Sequence, residues 1–267
     1  MRMHTEDLRQ VHDVYDHIYL SPHLDDAVLS CGGAIARHSA AGARVLVVTI
    51  CTAQPPSEGP FSRFVEEMHR QWGLAADQVV RARLHEDSLA MEHLGADSLW
   101  VGMFDAIYRR PADYTSDATL FGAPAPDDPL PPHLKNFIRA LRDRVPRATL
   151  YAPLGVGNHV DHQITYMAAR AGAGDAIAFY EDFPYVTKPG ALDQRLRTLG
   201  EPFVTSTLDI DATLSRKIGA VAAYASQIAM LFGDAEAMRR QIRGYAEALP
   251  PDVGTYGERL WLLNAQS

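Results

Sequence analysis

Cysteine is scarce in this chain, with only Cys31 and Cys51 among 267 residues. Both fall within apolar stretches, where cysteine packs as a small hydrophobe, so a disulfide framework is excluded as the source of stability. Long apolar runs are missing too. No stretch nears the roughly 20 residues needed to span a bilayer. The first residues, MRMHTEDLRQVHDVYDH, have no apolar core of signal-peptide length. The expected setting is the cytoplasm. Positive charge is also short, with 25 Lys and Arg against 33 Asp and Glu for a net charge of -8. A nucleic-acid surface needs clustered cations and is therefore excluded, whereas one anionic group held by a few arginines is not. Finally, the G-x-G-x-x-G fingerprint of dinucleotide folds is absent. The turn where it should stand reads S-P-H-L-D-D.

What is present is ordinary globular material, 47% apolar and 22% charged. HIYLS (17–21) and ARVLVVTI (43–50) read as buried strands, and 25–40 between them has helical spacing with Asp25 and Asp26 in its first turn. Two continuously apolar strands around a helix predict a parallel sheet covered on both faces. A Pro/Gly/Ser-rich loop (52–62) leads to helical segments at 63–72 and 76–94, and SLWVGM (98–103) reads as a third strand. The stretch 104–131 reads as a long functional loop. A helix at about 132–144, a strand at 148–154, a helix to about 172 and a strand at 176–181 complete the pattern. Beyond it, 202–210 is a further strand candidate, and 212–231 and 235–249 are strongly helical. The expected fold is α/β and Rossmann-like: a mostly parallel twisted sheet with helices on both faces. It forms one domain over 1–267, with a core at about 17–185 and a helical C-terminal addition at about 200–262.

Two clusters carry chemistry. His23, Asp25 and Asp26 follow the first strand, and His159, Asp161 and His162 follow the strand at 148–154. In a doubly wound sheet the first and fourth strands usually lie side by side at the switch point, and ligands bind beyond their carboxyl ends. The strand order thus places both clusters in one crevice. Imidazole and carboxylate are good Zn²⁺ ligands, and a catalytic site keeps three of them with one open position. His23, Asp26 and His162 make such a set, leaving Asp25 as an acid/base group beside it. The plainer alternative is a helix N-cap by Asp25 or Asp26 with a structural His-x-x-His. Two clusters at adjacent strand ends favour metal.

Ser21-Pro22-His23-Leu24-Asp25-Asp26, taken with His159-Val160-Asp161-His162, resembles the PIG-L/LmbE family of zinc-dependent N-acetylglucosamine deacetylases. Its members include the deacetylases of GPI-anchor, mycothiol and bacillithiol biosynthesis and of glycopeptide antibiotics. RARLHEDSLAMEHLGA (81–96), FDAIYRR (104–110), YASQ (224–227) and YGERLW (256–261) are similar to further family segments, so the resemblance runs over about 17–262. It implies metal ligation by His23, Asp26 and His162, and Asp25 as general base. His159 is implied as the residue that steadies the oxyanion or protonates the leaving amine, with Asp161 orienting or tuning it. The ion implied is Zn²⁺, with Fe²⁺ able to suit the same ligands. Leu24 and Ala27 depart from the commoner proline and glutamate, neither of them ligands. A tyrosine found in some relatives before the second motif is replaced by Gly157-Asn158.

The implied reaction removes an N-acetyl or other N-acyl group from an amino-sugar glycoconjugate, the one small-molecule partner expected. The alternatives are cleavage of a larger amide in a thiol conjugate, and a non-catalytic metal- or carbohydrate-binding module. For substrate binding, Asp105 can accept from vicinal hydroxyls, Arg109 can meet an anionic aglycone and Arg63 can line the mouth. The loops 52–62 and 104–131 are expected to form the aglycone side. Arg83 and Glu86 have the spacing of an i,i+3 helix pair, and His69, His85 and His93 read as surface residues. Gly32 and Gly33 are expected to allow close helix–sheet packing.

Overall fold

The structure is a computed structural model, and it describes residues 3–55, 61–72, 76–174 and 177–264. Its strands are β1 (His4–Thr5), β2 (His17–Ser21), β3 (Val45–Thr49), β4 (Asp97–Trp100), β5 (Thr149–Pro153), β6 (Ile177–Tyr180), β7 (Phe203–Asp209) and β8 (Gly257–Leu263). They form one eight-stranded sheet in the order β1-β4-β3-β2-β5-β6-β8-β7. The six strands from β1 to β6 pair in parallel, while β8 is antiparallel to both β6 and β7. The α/β, mostly parallel architecture is therefore as expected. β2 and β3 are buried nearly throughout because helices cover both faces.

The helices are α1 (Asp26–Ala40), α2 (Arg63–Trp72), α3 (Ala76–Leu94), α4 (Ala106–Arg109), α5 (Asp117–Leu120), α6 (Leu130–Arg144), α7 (Val160–Gly172), α8 (Ala191–Leu199), α9 (Leu214–Ala222), α10 (Ala225–Phe232) and α11 (Ala235–Glu247). The centre of the loop expected at 52–62 lies outside the described residues. Residues 104–131 are not a bare loop, since α4 and α5 punctuate them. The strand expected over 98–103 stops at Trp100, where Gly102 turns the chain with a φ of 78°.

Two expectations about the C-terminal part need correction. The helix read over 212–231 is two helices broken at Tyr224, whose ψ of 57° is not helical. Its hydroxyl donates to Asp87 Oδ1 at 2.7 Å, and Ser226 gives its N–H and Oγ–H to Glu86. Those bonds to α3 set the new direction of α10. The YGERLW segment belongs to β8, which closes the sheet between β6 and β7 instead of joining a helical appendage.

β8 also explains the Gly32-Gly33 pair. Glu258 reaches the middle of α1, where its carboxylate accepts from the N–H groups of Gly33 at 2.9 Å and Ala34 at 2.7 Å. Lys217 of α9 donates to Glu258 at 2.7 Å and to the Ser30 carbonyl at 3.3 Å. A Cβ on Gly33 would sit 2.9 Å from Glu258 Oε1 and 2.8 Å from two Ile210 carbons. Only glycine lets these groups come so close.

β2 and β5 are neighbours, and from them the chain leaves in opposite directions along the sheet. The carboxyl ends of this pair open the crevice that holds the site.

Candidate active site and metal centre

The turn from β2 into α1 is held by Ser21, whose Oγ donates to the His23 carbonyl at 2.7 Å and accepts from Ala27 N–H at 3.0 Å. Ser21 thus does the capping, and Asp25, although at the N-cap position, makes no side-chain cap bond. Asp25 has a φ of 151°, a backbone state costing a non-glycine residue about 1–3 kcal/mol. Its carboxylate points instead into the cavity lining and toward Arg83, whose Nη2 lies 3.2 Å away. Arg83 therefore does not form the helix pair with Glu86 expected from spacing. Its guanidinium crosses from α3 to Asp25 and the Leu24 carbonyl, while Glu86 turns to Ser226.

Asp26 and the two motif histidines converge. Asp26 Oδ2 accepts from His23 N–H at 2.8 Å, and it lies 3.2 Å from both His23 Nδ1 and His162 Nε2. Zinc bonded at about 2.0–2.1 Å in tetrahedral geometry separates its ligand atoms by about 3.3 Å, so these spacings suit such an ion. His162 Nε2 is buried and, beyond its 3.2 Å approach to Asp26 Oδ2, meets no hydrogen-bond partner among the described residues. A buried lone nitrogen of this kind is costly unless something binds it. A wider set, His23, His159 and His162, also offers ligand atoms within 4.8 Å of one another, as does His23 with Cys51 and Asp161. The donor set fits a divalent cation.

Each inner histidine is oriented by a carboxylate behind it. His162 Nδ1 is 2.7 Å from Asp182 Oδ1, and the other Asp182 oxygen accepts from Gly155 and Val156 N–H at 2.8 Å each. His23 Nε2 is 3.0 Å from Asp161 Oδ2. Such carboxylate–imidazole pairs fix the tautomer and leave the other nitrogen free to bind metal. Asp161 was expected to orient or tune His159; its carboxylate bonds His23 instead and acts on His159 only through its charge, which raises that imidazole against burial. Only the Asp161 backbone N–H reaches His159, donating to Nδ1 at 3.2 Å. The reason is tertiary: at the start of α7 the Asp161 side chain is taken by Ala106 N–H and Arg109, both remote in sequence, as well as by His23. A bonded Nδ1 acceptor leaves the His159 proton on Nε2.

The electrostatics follow from burial. Burial pushes Asp25 up and Arg83 opposes, leaving it at about 7. Burial works against protonation of His162, but Asp26 and Asp182 outweigh it and raise the imidazole to about 9. Burial and then the neighbouring His23 push His159 well below its ordinary value, so it stays neutral. Against the cost of burial, Arg109 and His23 hold Asp161 far below the usual carboxylate range. The carboxylates around His23 and His162 favour a positive charge at the centre.

Asp105 lines the cavity, with Oδ1 accepting from Ile107 N–H as the cap of α4 and Oδ2 3.4 Å from His23 Nε2. Arg109 differs from expectation. Its side chain is 7% exposed and its fork is filled by both Asp128 oxygens, the Phe104 carbonyl and Asp161. It steadies Asp161 and has little left for substrate. Arg63 is exposed at the start of α2 and is absent from the cavity lining. Asp182 and Arg83 escaped the sequence reading. The acidic pair Glu181-Asp182 right after a buried strand was the available signal for the first.

The family model described as PIG-L, GlcNAc-PI de-N-acetylase, matches residues 18–173. The chain is 30% identical over 244 residues to a 2'-N-acetylparomamine deacetylase of Streptomyces fradiae, covering 87% of this chain and 79% of that one. It is 27% identical over 243 residues to a 1D-myo-inositol 2-acetamido-2-deoxy-alpha-D-glucopyranoside deacetylase of Mycolicibacterium smegmatis, covering 80% or slightly less of each, 79% and 79%. Among solved structures, the zinc-inhibited form of teicoplanin deacetylase Orf2 superposes with a TM-score of 0.78 at 28% identity, covering 94% of this chain and all, 100%, of that one. With the paired motifs and the buried histidines in one crevice, the chain belongs to the PIG-L family and is a metal-dependent N-deacetylase.

Proposed function

We propose that the protein hydrolyses the N-acetyl group of an N-acetylglucosamine-type sugar carried on a larger glycoconjugate, with zinc as the working ion. The observation that supports this most is the Asp26 oxygen held 3.2 Å from both His23 Nδ1 and His162 Nε2, with Asp25 and His159 beside it on the cavity wall. His23, Asp26 and His162 hold the ion in this reading. When bound, it supplies Lewis-acid polarisation of the acyl carbonyl and lowers the pKa of water to about 7.

The chain's own groups do the rest. Asp25 takes a proton from the attacking water as the C–O bond forms at the acyl carbon. Arg83 fixes the Asp25 carboxylate and opposes the upward push of burial on it. His159, with its proton on Nε2, donates toward the carbonyl oxygen as the carbonyl electron pair moves onto it. When the C–N bond breaks, the proton held by Asp25 passes to the nitrogen, giving acetate and a free amine. Asp105 is placed to accept from sugar hydroxyls.

The test is metal content and amine release together. Wild-type protein is expected to hold about one zinc per chain, and His162→Ala to lose it. Asp25→Ala is expected to keep the metal and lose about 10²–10⁴-fold in kcat. Retained activity in Asp25→Ala sinks the base assignment. The wider three-histidine set separates by His159→Ala, which loses metal only if His159 is a ligand.

A further inference from the structure

The cavity is about 260 Å³, and its two ends differ in chemistry. The reacting end carries the charged groups described above. Its outer wall is apolar and comes from four separate parts of the chain: Met68 of α2, Phe121 after α5, Tyr185 after β6, and Met230 with Leu231 of α10. Phe121 meets His159 edge-on at 5.2 Å between centroids and Tyr185 at 5.8 Å, and Tyr185 in turn meets His162 at 5.8 Å. The aromatic wall is therefore continuous with the catalytic histidines. Met230 is 44% exposed although large and apolar. An exposed methionine bordering a cavity is a usual sign of an adaptable apolar binding surface.

Charge decides what this wall can receive. Among the cavity-lining residues the carboxylates are Asp25, Asp26, Asp105 and Asp117. The first three face Arg83, His23 or His162 at the reacting end. Among the described residues, only Asp117, exposed in the first turn of α5, is left near the wall. A polycationic aglycone would lay several ammonium groups against methionine, leucine and aromatic carbon, with one carboxylate to meet them. Desolvating those charges without partners is costly. An alkyl or aryl group meets the same wall with no such cost.

We propose that the outer half of the cavity is an aglycone subsite for an apolar, alkyl or aryl, group attached to the amino sugar. This rests on the deacetylase reading given above. α10 and the 183–185 segment, with Phe121, form that subsite, and the described residues of 52–62 do not. Specificity for the aglycone thus draws in part on a C-terminal helix remote in sequence from both catalytic motifs.

The experiment uses the zinc-loaded full chain and three substrates: methyl and hexyl 2-acetamido-2-deoxyglucosides and an N-acetylated polycationic aminocyclitol glycoside. Each methylene buried against the wall is worth about a three- to four-fold gain in kcat/KM. The hexyl glycoside is expected to exceed the methyl one by at least roughly tenfold, and the cationic glycoside to be the poorest of the three. Met230→Gln is expected to shrink the hexyl-to-methyl ratio. Equal kcat/KM for hexyl and methyl, or preference for the cationic glycoside, overturns the subsite and leaves the deacetylase reading intact. Calorimetric binding of the matching methyl and hexyl 2-amino-2-deoxyglucosides separates the two ideas. Tighter hexyl binding without hydrolysis of any glycoside keeps the subsite and overturns the reaction.

Discussion

Lys217→Met is the variant with the most to say about how the catalytic helix is held. The Lys217 and Glu258 side chains are 4% and 6% exposed, 2.7 Å apart, and both bond the middle of α1. Methionine keeps the stem that packs over Gly32, where Lys217 Cγ lies 2.9 Å from a would-be Cβ. What it removes is the charge, leaving the Glu258 carboxylate buried against two backbone N–H groups alone. Breaking one side of a buried pair costs about 3–5 kcal/mol. At about 2–4 °C per kcal/mol for a chain of this size, the melting temperature is expected to fall by roughly 6–20 °C. Adding Glu258→Gln removes the orphaned charge, so the double variant is expected to recover part of the loss. Chemical and thermal unfolding of the wild type, both single variants and the double variant close the cycle. A Lys217→Met protein within about 1 kcal/mol of wild type would falsify the view that this pair matters to α1.

Two further outcomes are expected. Asp182→Asn removes the carboxylate behind His162 and weakens the acceptor for Gly155 and Val156, so metal affinity is expected to drop about 10–100-fold. Competition with a chelator measures it, and unchanged affinity refutes the orienting role. At the other end of the sheet, His38 stacks on His17 at 3.7 Å and bonds the Tyr19 hydroxyl, while His17 bonds the Tyr151 hydroxyl. Burial, then His17 and Arg37, push His38 down to about 4, and burial lowers His17 against the pull of Asp16. Because the folded value is depressed, the stability involved is fully present above the unfolded value of about 6.5. It is lost as pH falls through about 4. Discounting for partial exposure, the loss is about 1–2 kcal/mol. His38→Gln is expected to flatten the stability profile between those limits, and an unchanged slope in urea titrations counts against it.

The two motifs and their meeting point could be read from the chain. HIYLS and ATLYAPL are short, continuously apolar and followed by ionisable clusters, and parallel strands of that kind carry ligands at their carboxyl ends. Imidazole and carboxylate in that crevice already imply a cation. The residues behind the ligands were not readable in the same way. Asp182 lies just past the strand read at 176–181, Arg83 has the spacing of a helix pair with Glu86, and Arg109 reads as a contact for an anionic aglycone. Nothing local says that α3 passes over Asp25 or that residues 104–109 fold back onto Asp161.

Local pattern sets which elements form, because periodicity and buried β-branched runs act over a few residues. It also sets which side chains can bind metal, since donor chemistry belongs to the residue itself. The tertiary structure alone decided that the Asp161 carboxylate bonds His23 and not His159, that Arg109 is consumed by carboxylates, and that β8 closes the sheet with Glu258 in the heart of α1. It also brought α10 to the mouth of the cavity. Hydrogen-bond partners and cavity walls are set by which remote surfaces come within about 3–4 Å, and sequence separation carries little information about that distance.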